Sequence, residues 1–116
     1  MKWSKAPLEL VTFLEEAALD VAGCQKHTMF GFPAYFLNGN MFMAAHRDNL
    51  ILRLGPADHE AFLVSDDGFS RFEPMAGRVM KEYVVVPEAV YMDKTRFDTL
   101  LKKSTDYVRG LPAKKA

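Results

Sequence analysis

Met29-Phe30-Gly31-Phe32-Pro33-Ala34-Tyr35-Phe36-Leu37-Asn38-Gly39-Asn40-Met41-Phe42 is dense in the residues that build sheet and turn, and poor in those that do chemistry. Asn38-Gly39 lies between two apolar, β-favouring runs. A two-residue type I′ hairpin turn needs positive φ at both central positions, and Asn followed by Gly tolerates this best. The stretch therefore predicts a strand over Met29–Leu37 returning as a second over Met41–Ala45. Pro33 removes a ladder donor, so the first strand either starts late or lies at an edge there.

Working outward, Arg47-Asp48-Asn49 supplies another tight turn and Leu50-Ile51-Leu52-Arg53-Leu54 a third strand. Upstream, Leu8, Val11, Leu14, Ala18 and Val21 recur at helical spacing, with acidic residues mostly elsewhere, and Gly23 ends that helix. Downstream, Gly55-Pro56 opens a short helix with Ala57, Ala61 and Val64 inward and Asp58, His59 and Glu60 at its solvated start; Ser65–Gly68 breaks it.

A second block, Phe72-Glu73-Pro74-Met75-Ala76-Gly77-Arg78-Val79-Met80-Lys81-Glu82-Tyr83-Val84-Val85-Val86-Pro87, reads as a strand pair, Arg71–Met75 and Val79–Val86, bent at Ala76-Gly77-Arg78. Whether Val79–Val86 is central or outermost stays open. Asp93 is placed to cap a last helix, on which Phe97, Leu100, Leu101, Ser104 and Val108 form one packed face before Gly110 and Pro112. The order is α-β-β-β-α-β-β-α. Strands joined as hairpins with helices covering one face predict an α+β two-layer sandwich with a five-stranded, mainly antiparallel sheet.

At 116 residues, with 49% of them hydrophobic, the chain builds one domain and one core. We assign residues 1–116 to it, with the core over about 8–112 and a basic tail at 113–116. The 15 basic residues balance the 15 acidic ones, so no global field draws the molecule to nucleic acid or an anionic surface. Locally the balance breaks: from Lys94 to Ala116 seven basic residues face two acidic ones, an excess of +5. The single cysteine, the absence of a secretory leader and the absence of a long apolar run make a cytoplasmic location the expectation, with no membrane contact.

In order and spacing, Met29-Phe30-Gly31, Asn38-Gly39 with Met41-Phe42, the apolar strand containing Arg53, Phe72-Glu73-Pro74-Met75, and Met80-x-x-Tyr83 leading to Pro87 are similar to the N-terminal domain of the TfoX/Sxy family. The resemblance covers nearly the whole chain. It implies a sandwich of the kind also seen in secretion chaperones and YjbR-like proteins. The best-known relatives regulate natural competence in bacteria and carry a helical domain after this one. With the sequence ending at Ala116, the resemblance implies a single-domain member.

Candidate chemistry is sparse. No nucleophile elbow, glycine-rich phosphate loop or paired carboxylate is present, so no catalytic residue and no cofactor is assigned. Cys24-x-x-His27 is half of a zinc site with no second half, so no metal is assigned either. The candidate ligand or partner surface is His46, Arg53, Lys81, Glu82 and Tyr83. Its bland reading is a cross-strand ion pair between Arg53 and Glu82. Its sharper reading is a sheet-face pocket around His46, Arg53 and Glu82 that binds a small molecule or turns one over. The methionines at 29, 41, 43, 75 and 80 either fill the core or make an open sheet face adaptable. The leading expectation is a non-catalytic regulatory or protein-interaction module working through the sheet face or an edge strand. Its partner is a protein or a second copy, and direct nucleic-acid binding through the basic C-terminal segment is the weaker alternative.

Overall fold

The computed structural model describes residues 7–29 and 31–114. Its elements run α1 (Leu8–Leu19), β1 (Gln25–Met29), β2 (Phe32–Leu37), β3 (Asn40–His46), β4 (Asn49–Arg53), α2 (Pro56–Leu63), β5 (Ser70–Arg71), β6 (Tyr83–Val86), α3 (Glu88–Tyr91) and α4 (Lys94–Arg109). The strands form one antiparallel sheet in the order β1-β2-β3-β4-β6-β5. The α+β sandwich is as the pattern predicts, but with six strands, not five.

The extra strand arises because the Met29–Leu37 stretch is divided at Gly31. Gly31 takes φ +81°, a left-handed turn conformation that costs glycine little, and the chain reverses there. The polar run Gln25–Met29 thereby becomes β1, paired with β2 from Gln25↔Phe36 to Met29↔Phe32. The proline rule survives in local form: the β2–β3 ladder begins at Ala34↔Ala44, so Pro33 pairs only with Thr28 of β1. Asn38 and Gly39, at φ +51° and +79°, make the anticipated turn into β3.

Between Tyr35↔Met43 and Phe36↔Met41 the register slips, leaving Phe42 as an extra residue on β3. Such a bulge breaks the alternation of faces, and it turns both Phe42 and Met43 toward the helical layer, where neither is exposed. Leu50, Leu52, Leu54, Val84, Val86, Leu10, Leu14, Phe97, Leu100 and Val108 complete that core. Each side chain buried this way contributes about 1.5–3 kcal/mol, so this layer holds the domain together. Asp93 caps α4, its carboxylate accepting from the Arg96 N–H at 3.3 Å, and the predicted face of α4 is the buried one.

Four further expectations need correction. The second strand pair is much shorter than Arg71–Met75 with Val79–Val86, because Pro74 cannot donate and Glu82 sits at φ +73° just before β6. Residues 72–82 instead loop out, pinched by a Met75↔Arg78 bridge, and the Met80 N–H returns to the Phe72 carbonyl at 2.9 Å. This excursion buries Phe72 with Ala34, Met41, Ala44, Ile51 and Tyr83, so the sheet face opposite the helices is largely covered rather than open. On α2, Val64 is 70% exposed and Ala57 and Ala61 also face out. Phe62 and Leu63 pack inward in their place, the Phe62 ring 5.0 Å from that of Phe69, because aromatic burial outweighs alanine on so short a helix. On α1, Leu8 is exposed, and the buried stripe is Leu10, Leu14 and the later Val21. The strand Val79–Val86, whose place was open, contracts to β6 and is internal, between β4 and β5. The one-turn helix α3 after Pro87 had no periodicity to announce it.

Candidate functional site

Arg53 ends β4 directly opposite Tyr83, the first residue of β6, so the two side chains share a face at one end of the sheet. The Arg53 Nε donates to Glu82 Oε1 at 2.9 Å and its Nη2 lies 2.8 Å from the same oxygen. The other carboxylate oxygen, Oε2, accepts from the Tyr107 hydroxyl of α4 at 2.6 Å. The Arg53 guanidinium lies 5.5 Å from the centre of the Tyr83 ring and 5.9 Å from that of Tyr107, within cation–π range of both.

The backbone makes this arrangement. Leu54 donates its N–H to the Glu82 carbonyl at 2.7 Å, which holds Glu82 in its left-handed conformation. Gly55 lets Tyr107 approach: a Cβ at that position would sit 2.9 Å from the Tyr107 ring. Below, the Tyr83 hydroxyl donates to the Met41 carbonyl at 3.0 Å, and His59 Nε2 lies 3.2 Å from the Tyr83 carbonyl. Four elements thus meet here: β4, β6, α2 and α4.

Partial burial pushes the Glu82 carboxyl up, but the Tyr107 hydroxyl and Arg53 outweigh it and hold the group below the ordinary carboxylate value. Tyr107 is raised, mainly by its bond to Glu82, and Tyr83 is raised by burial. At neutral pH Glu82 is therefore an anion and both phenols keep their protons. Both carboxylate oxygens are engaged, so general-base work by Glu82 requires breaking bonds that stabilise the fold.

His46 is elsewhere. It pairs with Asn49 at the far end of β4, four residues from Arg53, which at about 3.4 Å per residue is roughly 14 Å away. Its ring lies 5.3 Å from that of Phe32 and 5.1 Å from that of Phe72, and burial, then the charge of Arg47, lowers its basicity. Of the five candidate residues, Arg53, Glu82 and Tyr83 come together, the exposed Lys81 adjoins them in sequence, and His46 does not join them. The bland reading, an Arg53–Glu82 pair, describes the geometry, although Glu82 lies before its strand rather than in it. Tyr107 and His59 were missed. Gly55 followed by a helix was the available signal for a closely approaching ring, and it reads equally well as a helix start.

Two other surfaces stand out. A groove of about 690 Å³ runs between α1 and α4, with Phe13, Val21, Tyr91, Phe97 and Leu101 among its lining residues. At one edge of the sheet, β1 has β2 on one side and no strand on the other among the described residues, and four of its five residues are exposed. His27 on β1 packs against Phe36 with ring centres 5.1 Å apart, while burial raises the Cys24 thiol. Among the described residues no group of three His, Cys, Asp or Glu side chains is placed to hold a metal ion. No helix among them is long and apolar enough to cross a membrane.

The basic side chains of α4 are largely engaged, two of them within the helix and three with residues outside it. Lys94 pairs with Asp98 at 3.0 Å, Lys102 with Asp106 at 2.8 Å, Arg96 with Asp67 at 3.0 Å and Lys103 with Asp58 at 3.8 Å. Arg109 donates to the Ala22 carbonyl at 3.0 Å. Beyond α4 the chain docks on the β2–β3 turn: the Lys114 N–H reaches the Asn38 carbonyl at 2.8 Å, and the Asn40 side chain donates to the Pro112 carbonyl at 3.0 Å.

Fold and surfaces together define a small antiparallel sandwich in which the polar residues at the sheet end serve as a clamp. The family model described as the TfoX N-terminal domain matches residues 17–107, and the chain belongs to that family. No curated protein and no solved structure gives a match.

Proposed function

We propose that this chain is a non-catalytic regulatory module that acts by contact with protein, in the transcription or competence type of process its family implies. The observation that carries the reading is the outer edge of β1. On the side away from β2, Gln25–Met29 offers a row of backbone donors and acceptors with no strand beside it among the described residues, and it holds no proline and no bulge to protect that edge. Its one charged side chain, Lys26, is drawn back to Glu15 at 2.8 Å. The covered opposite face of the sheet and the closed Arg53–Glu82–Tyr107 clamp weigh against a small-molecule pocket there. The internal ion pairs of α4 weigh against phosphate binding by that helix.

The partner that fits the edge most simply is a second copy. Antiparallel pairing of two β1 strands about His27 sets Lys26 against Thr28 and brings no like charges directly opposite. Neighbouring strand residues aim their N–H groups to opposite sides, so one of His27→Pro and Thr28→Pro deletes only an outward donor. Light scattering should find a dimer for the natural chain and a folded monomer for that one variant. A chain that stays monomeric at about 100 µM refutes the pairing.

A further inference from the structure

The groove between α1 and α4 has a form that narrows what it holds. The Phe13 ring lies 5.1 Å from that of Tyr91 and 4.9 Å from that of Phe97, and these three rings with Val21 and Leu101 give it an apolar floor. At 1.5 Å per residue, α4 runs about 18 Å from Phe97 to Arg109. Spread over that length, about 690 Å³ gives a trough about 6 Å across. An α-helix with its side chains is about 10–12 Å wide, so the trough admits one ridge of side chains and not the whole rod.

The walls differ in charge. On α4, Lys94–Asp98 and Lys102–Asp106 neutralise each other within the helix. On α1, Glu16 and Asp20 stand one turn apart and make no ion pair among the described residues, while Glu15 is taken by Lys26. Like charges at that spacing repel, and acidic groups in the second half of a helix oppose its dipole. The last turn of α1 has no basic residue, and the α4 cation that reaches its end, Arg109, donates to the Ala22 carbonyl at 3.0 Å rather than to either carboxylate. Both costs fall when a cation approaches the α1 wall.

We propose that this groove docks an amphipathic helix of a partner protein, seated by three or four apolar side chains at i, i+3, i+7 and i+10 spacing and oriented by Lys or Arg on the flank that meets Glu16 and Asp20. The site is distinct from the β1 edge, and the two are separable by mutation. Charge at the rim sets orientation and discrimination, while the aromatic floor supplies affinity.

The test uses two labelled helical peptides of about 15 residues with the same leucine stripe, one with lysine and one with glutamate on the flank, titrated by fluorescence anisotropy against the full chain. The lysine peptide should bind about tenfold more tightly, and the double substitution Glu16→Lys/Asp20→Lys should reverse the order. Both positions are exposed, so that reversal does not depend on core packing. Ala17→Tyr, which fills the trough, should abolish binding without changing the far-UV circular dichroism. The edge-blocking proline variant of β1 should bind as the natural chain does, which separates failure here from failure of edge pairing. Equal affinity for the two peptides overturns the proposal, as does binding that survives Ala17→Tyr. Self-association lost only in Ala17→Tyr makes a second copy the occupant, and a small apolar dye binding where neither peptide does makes it a ligand pocket; either result also overturns it.

Discussion

Glu82 carries the most exacting consequence of the geometry, because its backbone and its side chain act with opposite sign. At φ +73° a residue with a Cβ is strained by about 1–2 kcal/mol, which glycine avoids. Its carboxylate joins Arg53 and Tyr107, and hydrogen bonds to a charged group contribute about 1.5–3 kcal/mol when well buried. With the Arg53 and Glu82 side chains 20% and 27% exposed, the low end applies, so Glu82→Ala should cost about 2–3 kcal/mol. Glu82→Gly loses the same bonds but relieves the backbone; after allowing for the greater entropy of an unfolded glycine, it should be more stable than Glu82→Ala by about 0.5–1 kcal/mol. The Leu54 N–H to Glu82 carbonyl bond persists in both. At an ordinary negative-φ position the order is reversed, alanine being favoured by about 0.4–1 kcal/mol. Urea unfolding of the two variants beside the natural chain measures the difference, which corresponds to roughly 2–6 °C in melting temperature. If Glu82→Ala is the more stable of the pair, the left-handed conformation before β6 is wrong, and with it the account of why the second strand pair is short.

The same carboxylate gives a pH signature. Because its folded pKa lies below the ordinary value, its contribution is complete above the unfolded pKa and is lost as pH falls through the folded one. The stability gap between the natural chain and Glu82→Gln should therefore be constant near neutrality and shrink below about pH 4.5; a gap unchanged at pH 3 contradicts the clamp. Arg47, at φ +57° in the β3–β4 turn, should gain about 0.5–1 kcal/mol on replacement by glycine, read as a raised urea midpoint with unchanged slope. A loss of stability there refutes the turn geometry.

Legibility in the sequence followed how local each cause was. The Asn38-Gly39 turn, the Asp93 cap and the packed face of α4 each depend on a few neighbouring residues, and each is where the pattern puts it. Phe97, Leu100, Leu101, Ser104 and Val108 could be read because a sustained 3.6-residue period admits one alignment. The misreadings arose where a short segment had two physically sound solutions. Gln25–Met29 is too polar to announce a strand and becomes one only because β2 offers a ladder. Pro56–Leu63 has so little amphipathic character that contact with Phe69 and Tyr83, not its own pattern, chose its inner face.

The candidate site divides the same way. Arg53, Glu82 and Tyr83 were legible as polar and aromatic residues in or beside predicted strands, but the pairing of β4 with β6, across 29 residues of sequence, is what brings Arg53 to Glu82. Tyr107 and His59 reach the cluster from two helices, and no spacing rule joins residue 107 to residue 82. His46 was grouped with Arg53 although the direction of β4 carries them to opposite ends.

By itself the amino-acid order determined the class of fold, the hairpin at Asn38-Gly39 and the family, since these rest on turn chemistry and periodicities that neighbouring residues impose. Only the tertiary structure decided that β1 is an outermost strand of the sheet, that residues 72–82 cover the second face of the sheet, and that an aromatic-floored groove lies between α1 and α4. Each of those depends on which distant surfaces come within van der Waals reach, and that is set by the packing of the whole chain.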